Sequence, residues 1–280
     1  MNTIKLFAVI FLMAIMEVDA QQIFFGSGFD EQRLKMRVKQ VDEFEARFNY
    51  EQDIEGRIIH QTNIEMRKKY IFSLFDENIL NPEKMNDSII SVYNDFLNVI
   101  VNPNKPIYVR FTDTSWIAQA ECNVTLNGRA EKIIISLQTE KIKEFEYKWV
   151  FIGAKGSILA LPPTRSNPGI MISPIDNELR FMSLQNISGN NNKDVINYSY
   201  ADYETDQLTV LNTLIYTGQL KIQHAQKIVY YYFQVPDYVF RVEHFERDSD
   251  NVGWLIAEII NVKEKDKAEF RHKLLNEILE

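Results

Sequence analysis

Trp116-Ile117-Ala118-Gln119-Ala120-Glu121-Cys122-Asn123-Val124-Thr125-Leu126 runs straight into Asn127-Gly128 and then Arg129-Ala-Glu-Lys-Ile133-Ile-Ile135-Ser-Leu137. Trp116, Ala118, Ala120, Cys122, Val124 and Leu126 fall on one side of an extended chain. Ser115, Gln119, Glu121, Asn123 and Thr125 fall on the other. A period of two marks a half-buried strand. Asn-Gly is the pair favoured in a two-residue type I′ turn, where both central residues need positive φ. Pairing Leu126 with Arg129 sets Cys122 opposite Ile133, Ala120 opposite Ile135 and Ala118 opposite Leu137. The apolar faces coincide, so both strands fix the same register. A further strand is expected over 146–153, and 156–161 is a candidate for another.

Outward from this hairpin, the chain before it reads as helical. Asp30 is a candidate N-cap for a helix to about Tyr50, with Leu34, Val38, Val41, Phe44 and Phe48 on one stripe. Asn63 is positioned to cap a second helix carrying Met66, Tyr70, Phe72 and Leu74, stopped near Leu80 by Asn81-Pro82. Asn86 or Asp87 opens a third, with Ile89, Tyr93, Phe96 and Ile100 facing inward, ended by Asn102-Pro103.

After the hairpin region comes a proline-containing loop at 161–172. Ser173-Pro174-Ile175-Asp176 has the form of a helix start, for a helix to about Asn186. Residues 188–206 are the most polar stretch and read as a long surface loop. Asp206 opens a helix with Leu208, Leu211 and Ile215 inward, ended by Gly218. Strands are expected over 228–234, 238–245 and 253–262. The last is apolar on both faces, which suits a central strand or one covered on each side. A charged helix over 265–280 closes the chain, with Phe270, Leu274 and Leu275 to dock it. Strands in consecutive hairpins imply an α+β fold. The expected architecture is an antiparallel curved sheet of about six to seven strands, packed by N-terminal and central helices.

Met1–Ala20 has a targeting pattern. Lys5 gives a positive start, Leu6–Met16 is an apolar run too short to span a bilayer comfortably, and Val18-Asp19-Ala20 suits cleavage before Gln21. Residues 1–20 are therefore expected to be a signal peptide. Residues 21–280 are expected to be one α+β domain, with 30–161 and 173–280 as the alternative subdivision. The expected location is exported, either periplasmic or extracellular, with no transmembrane segment in the mature chain.

The 280 residues carry 31 basic and 39 acidic side chains, a net charge of −8. Removing Lys5, Glu17 and Asp19 leaves 30 and 37, a net of −7. Such a chain is a poor binder of nucleic acid. Arg67-Lys68-Lys69 is its densest basic run and reads as a solvated helix face. Cys122 is the single cysteine, so no intrachain disulfide framework exists. Its place on the apolar face marks it as a buried small hydrophobe.

Catalytic signatures are absent from the sequence. No Gly-x-Ser-x-Gly occurs. Gly153-Ala-Lys-Gly156-Ser157 lacks the Gly-Lys-Ser order of a phosphate loop and reads as a strand turn. Asp248-Ser-Asp250-Asn251-Val-Gly253 begins like a calcium loop, but the closing acid would fall at Ile259. His60, His224, His244 and His272 have no second histidine at metal-ligand spacing. His244 and Glu246 share one strand face and are the candidate acid–base pair. The rival reading makes them the solvated end of a strand. No catalytic residue, cofactor-binding residue or metal ligand is assigned, and no cofactor is expected. Thirteen Tyr and eighteen Phe exceed what is usual and supply either core or a ligand-lining surface; the place to look for a cavity is between the helices and the sheet around Trp116, Trp149 and Tyr238.

Two stretches carry a resemblance. Trp116-Ile-Ala-Gln-Ala-Glu-Cys122 through Lys148-Trp149-Val-Phe-Ile-Gly-Ala154 is one, and Val235-Pro-Asp-Tyr-Val-Phe240 through Asn251-Val-Gly-Trp254-Leu-Ile256 is the other. With Pro174–Leu184 between them, they resemble an uncharacterised family of exported bacterial proteins. That resemblance implies export and no particular activity. The helix-then-sheet order of 30–154 is also similar to the cone fold of the nuclear transport factor two and cystatin-like superfamily, which holds enzymes and binding modules alike. Three function classes stay open. The first, which the sequence favours, is a non-catalytic binding or interaction protein of the bacterial envelope, using its sheet to hold an unknown protein or small ligand. The others are a small-molecule enzyme of cone-like fold and a structural component of an envelope assembly.

Overall fold

The computed structural model describes residues 41–53, 56–60, 63–79, 87–144, 146–161, 192–200, 202–248 and 251–277. The expected signal peptide, the first turns of the helix placed from Asp30, and the helix placed at 173–186 lie outside them. Six strands join one antiparallel sheet: β1 (Trp116–Leu126), β2 (Arg129–Lys143), β3 (Glu146–Lys155), β4 (Leu220–Tyr232), β5 (Tyr238–Phe245) and β6 (Gly253–Asn261). Their order is β3-β2-β1-β4-β5-β6. Two three-stranded meanders therefore meet along the β1–β4 seam. Five helices accompany them among the described residues: α1 (Val41–Phe48), α2 (Ile64–Ser73), α3 (Asp87–Ile100), α4 (Gln207–Tyr216) and α5 (Lys267–Asn276). The fold is α+β, as expected. No described helix is long and apolar enough to cross a membrane.

The β1–β2 hairpin has the expected register, with Leu126 opposite Arg129, Cys122 opposite Ile133, Ala120 opposite Ile135 and Ala118 opposite Leu137. Asn127 and Gly128 both take positive φ, 49° and 83°. One face of the sheet is covered at its two ends by different helices. α1, α2 and α3 pack Phe44, Phe48, Ile71, Phe96 and Ile100 against Trp116, Tyr232, Phe240, Val242 and Ile256. α4 brings Leu211 onto Cys122, Val124, Ile133 and Ile135. The opposite face takes α5, whose Leu274 meets Ile117, Val239 and Val262. α1 and α2 are too short to persist alone. Burial at about 2 kcal/mol per large apolar side chain is what holds them, and the stacked Phe48 and Phe240 rings, 5.5 Å apart, show where.

Several expectations are corrected. The α2 stripe is Arg67 and Ile71, continued by Leu74 and Phe75, while Met66 and Phe72 are exposed. The helix stops at Ser73 because Phe75 leaves it to bridge in parallel to Ile256 on β6. Arg67 is not on a solvated face: it is 3% exposed. Its Nε and Nη1 donate to the carbonyls of Phe48 and Ile100 at 3.3 and 3.4 Å, and Nη2 donates to Ile107. Phe48 and Ile100 end α1 and α3, so the cation lies at the negative ends of two helix dipoles.

Residues 157–159 form a 3-10 turn rather than a strand, and 192–198 form another inside the segment read as a loop. On α4, Leu214 packs inward and Ile215 is exposed. β4 begins at Leu220, not near Ile228. Irregularities opposite Glu121/Cys122 and Asn123/Val124 interrupt its alternation, which hides the strand from a period-two reading. β6 is an edge strand, and the 74–76 segment closes that edge: Ile256 N–H donates to Leu74 O at 2.7 Å and Asp76 N–H to Ile256 O at 3.0 Å.

Candidate functional site

His244 and Glu246 do not form a site. The His244 ring lies against Trp254 at 5.3 Å, its buried Nε2 without a hydrogen-bond partner among the described residues, whereas Glu246 is exposed. Neither lines the clefts described next. No group of three or more His, Cys, Asp or Glu among the described residues is arranged to hold a metal ion. Cys122 is buried, and burial pushes its thiol pKa up.

The aromatic surplus concentrates elsewhere, between the start of α1 and the β3 edge. Trp116, the first residue of β1, stacks on Tyr230 and Tyr232 at 5.5 and 5.4 Å. Trp149 of β3 meets it edge-on at 4.9 Å. The register explains this cluster: Trp116 sits opposite Tyr232, Ala118 opposite Tyr230 and Thr139 opposite Trp149, so the rings share one sheet face. Trp116 Nε1 donates to Phe111 O at 3.1 Å, which satisfies the indole. Phe111 in turn meets Tyr147 at 6.4 Å. All of these rings but the buried Tyr232, with Val41, Asp42 and Thr139, line a groove of about 400 Å³. Trp149 is 45% exposed and Phe111 54%, an arrangement a solid core does not show.

A second, more polar notch of about 370 Å³ adjoins the groove. Asp42 and Phe111 belong to both. Glu45, 6% exposed, forms part of its wall. Its Oε1 accepts from the Tyr232 hydroxyl at 3.1 Å and its Oε2 from Phe111 N–H at 3.0 Å. Burial raises the Glu45 pKa to about 7, outweighing the two hydrogen bonds that lower it. The neighbouring segment is latched the same way. Asn49 exchanges two hydrogen bonds with Val109, at 2.8 and 3.0 Å. Gln234 exchanges two with Arg110, at 2.8 and 2.9 Å. Side chains from α1, from the residue after it and from just past β4 thus substitute for a strand partner along 109–111, and they fix Phe111 where it walls both clefts.

Sequence reasoning named Trp116, Trp149 and Tyr238 as the place to look for a cavity. Trp116 and Trp149 do line one, while Tyr238 is core, packed on Phe96 at 5.5 Å. It missed Asp42, Glu45, Phe111 and Tyr147. The signal for Glu45 was present: it stands four residues after Val41 and three before Phe48, on the buried stripe of α1. No protein family, characterised protein or solved structure matches the chain.

Proposed function

We propose that this chain is an exported, non-catalytic interaction protein of the bacterial envelope that receives an extended segment of a protein partner beside β3. The observation that carries this reading is the aromatic groove next to a strand edge that no described strand pairs. Residues 146–151 of β3 bond to β2 on one side only, and no described strand pairs with the other. At the opposite edge the chain's own 74–76 segment already lies along β6. A strand added to β3 would satisfy its free backbone groups and send every second side chain over the groove. Export rests on the charge and apolar pattern of residues 1–20 and on the resemblance of the two Trp-containing stretches to exported proteins.

The test uses the peptide Thr-Val-Thr-Gln-Thr-Val-Thr as a generic extended probe. The expected result is slowed amide exchange across residues 146–151, with a change in tryptophan emission that disappears in Trp149→Ala. Unchanged exchange at β3 at millimolar peptide would refute it. Export is checked separately by sequencing the N-terminus of the protein recovered outside the cytoplasm, which should begin at Gln21.

A second reading, an acid–base enzyme, has one observation behind it, the near-neutral pKa of Glu45. Both oxygens of that carboxyl already accept hydrogen bonds from the chain itself, which favours the binding role.

A further inference from the structure

The groove and the notch both border the start of α1, and both are walled by Asp42 and Phe111. The notch is the acidic one of the two: Asp42, Glu43 and Glu51 line it against Arg110, with Glu45 buried in its wall. Glu43 Oε2 is out of contact with solvent and accepts no hydrogen bond among the described residues, standing 4.0 Å from Arg47 Nη2. Lys148 on the groove wall is paired with Glu140 at 3.2 Å, so it does not neutralise the acids across the cleft. Phe111 and Trp149 are exposed rings on the groove wall, and the face of an aromatic ring attracts a cation. The net charge, −7 without residues 1–20, steers cationic partners toward the chain as a whole.

We infer that the segment received beside β3 carries a basic side chain, arginine or lysine, which enters between Asp42 and Phe111. This rests on the proposed function and specifies its partner. The added strand runs along the β3 edge, and its side chains on the face that α1 covers point over the groove toward the start of α1. A long cationic side chain lays its methylenes over Trp149 or Phe111 and delivers its charge to Asp42 and Glu43. A short or acidic one leaves Asp42 with only the Glu43 N–H, at 2.9 Å, and Glu43 with only Arg47, at 4.0 Å, among the described residues. An arginine presents a planar fork to a carboxylate and a flat face to a ring, so the site should rank arginine above lysine.

The experiment compares three peptides, Thr-Val-Thr-Xaa-Thr-Val-Thr with Arg, Gln or Glu at the centre, on the full mature chain by calorimetry. The arginine peptide is expected to bind about tenfold more tightly than the glutamine peptide, and the glutamate peptide most weakly. The double variant Asp42→Asn, Glu43→Gln should erase the arginine preference, bringing the arginine and glutamine peptides to the same affinity. Circular dichroism of that variant checks that α1 persists. The arginine advantage should also shrink as salt rises. If the three peptides bind equally, the inference fails and the strand-docking reading stands. If none binds, both fail. If free arginine amide binds as tightly as the arginine peptide, the site takes a small cation instead of a strand, and the inference is overturned.

Discussion

The Tyr232 hydroxyl donates to Glu45 Oε1 at 3.1 Å, joining the first described helix to the end of a strand 187 residues later. Because the Glu45 pKa is raised above that of an unfolded glutamate, to about 7, the native state holds a proton that the unfolded chain releases near 4.5. The stabilising contribution is complete below about pH 4.5 and is lost as pH rises through about 7. It amounts to roughly 3 kcal/mol over that window. Urea unfolding measured from pH 4.5 to 8 should show this decline superimposed on the other carboxylates, and Glu45→Gln should remove it. A Glu45→Gln profile parallel to the parent would refute the assignment.

Arg67 gathers the carbonyls of Phe48, Ile100 and Ile107 beneath the ring of Tyr108, 4.3 Å from its guanidinium carbon. Arg67→Met preserves much of the packing and strips the donors from three carbonyls. The expected loss is about 2–4 kcal/mol in chemical denaturation. Arg67→Lys should recover less than half, since one ammonium cannot span three carbonyls held by a planar fork. A loss under about 0.5 kcal/mol for Arg67→Met would place the residue at a solvated surface after all.

Gly128 and Gly156 should both resist substitution, for different reasons. At Gly128 an added Cβ meets nothing within 4 Å, but φ is +83°, so Gly128→Ala should cost about 1 kcal/mol through the backbone alone. At Gly156 the added Cβ would lie 2.9 Å from Ile133 Cγ2 and 3.2 Å from Lys132 O. Gly156→Ala should cost about 1–3 kcal/mol through packing. The pairing Gly156→Ala with Ile133→Ala should be less than additive, and strict additivity would exclude the contact as the cause.

α5 is fastened to the sheet by buried cations at both ends. Lys155 Nζ donates to Leu274 O and Glu277 O at 2.9 and 2.7 Å, and Lys267 Nζ to Phe233 O and Val235 O at 2.8 and 2.7 Å. Lys155→Met should release the C-terminal turn of α5 while leaving Lys267 in place. Amide exchange should therefore quicken around 274–277 before it changes around 267–270. Uniform quickening along the helix would show that the two clamps act as one.

What was legible in the sequence was local. The Asn127-Gly128 turn and the matched faces of β1 and β2 settle a register from residues less than twenty apart. The caps at Asn63 and Asp206 are side chains bonding amides three residues on, Met66 at 3.0 Å and Thr209 at 2.7 Å. What escaped was made by distance or by irregularity. Two bulges hid the first half of β4. Arg67 stood in a basic run, and only the meeting of α1, α3 and the 107–109 segment around it turns it inward. The groove joins α1, β1, β2, β3 and β4, and Asp42 and Tyr147 share no pattern along the chain. Of the residues named beforehand, Trp116 and Trp149 reached the groove because the hairpin register carried them there.

The N-terminal helices pack on strands made near the other end of the chain: Phe44 and Phe48 lie on Phe240, and Leu74 and Phe75 on Ile256. Synthesis delivers those helices first and their cover last. The β1–β2–β3 meander can assemble early from neighbouring segments, but α1, α2 and α3 must keep their phenylalanines unburied until β5 and β6 arrive. Folding of this protein is therefore gated by the arrival of its own C-terminal strands, and any chain cut short before about residue 256 presents the apolar stripes of three helices to whatever surrounds it.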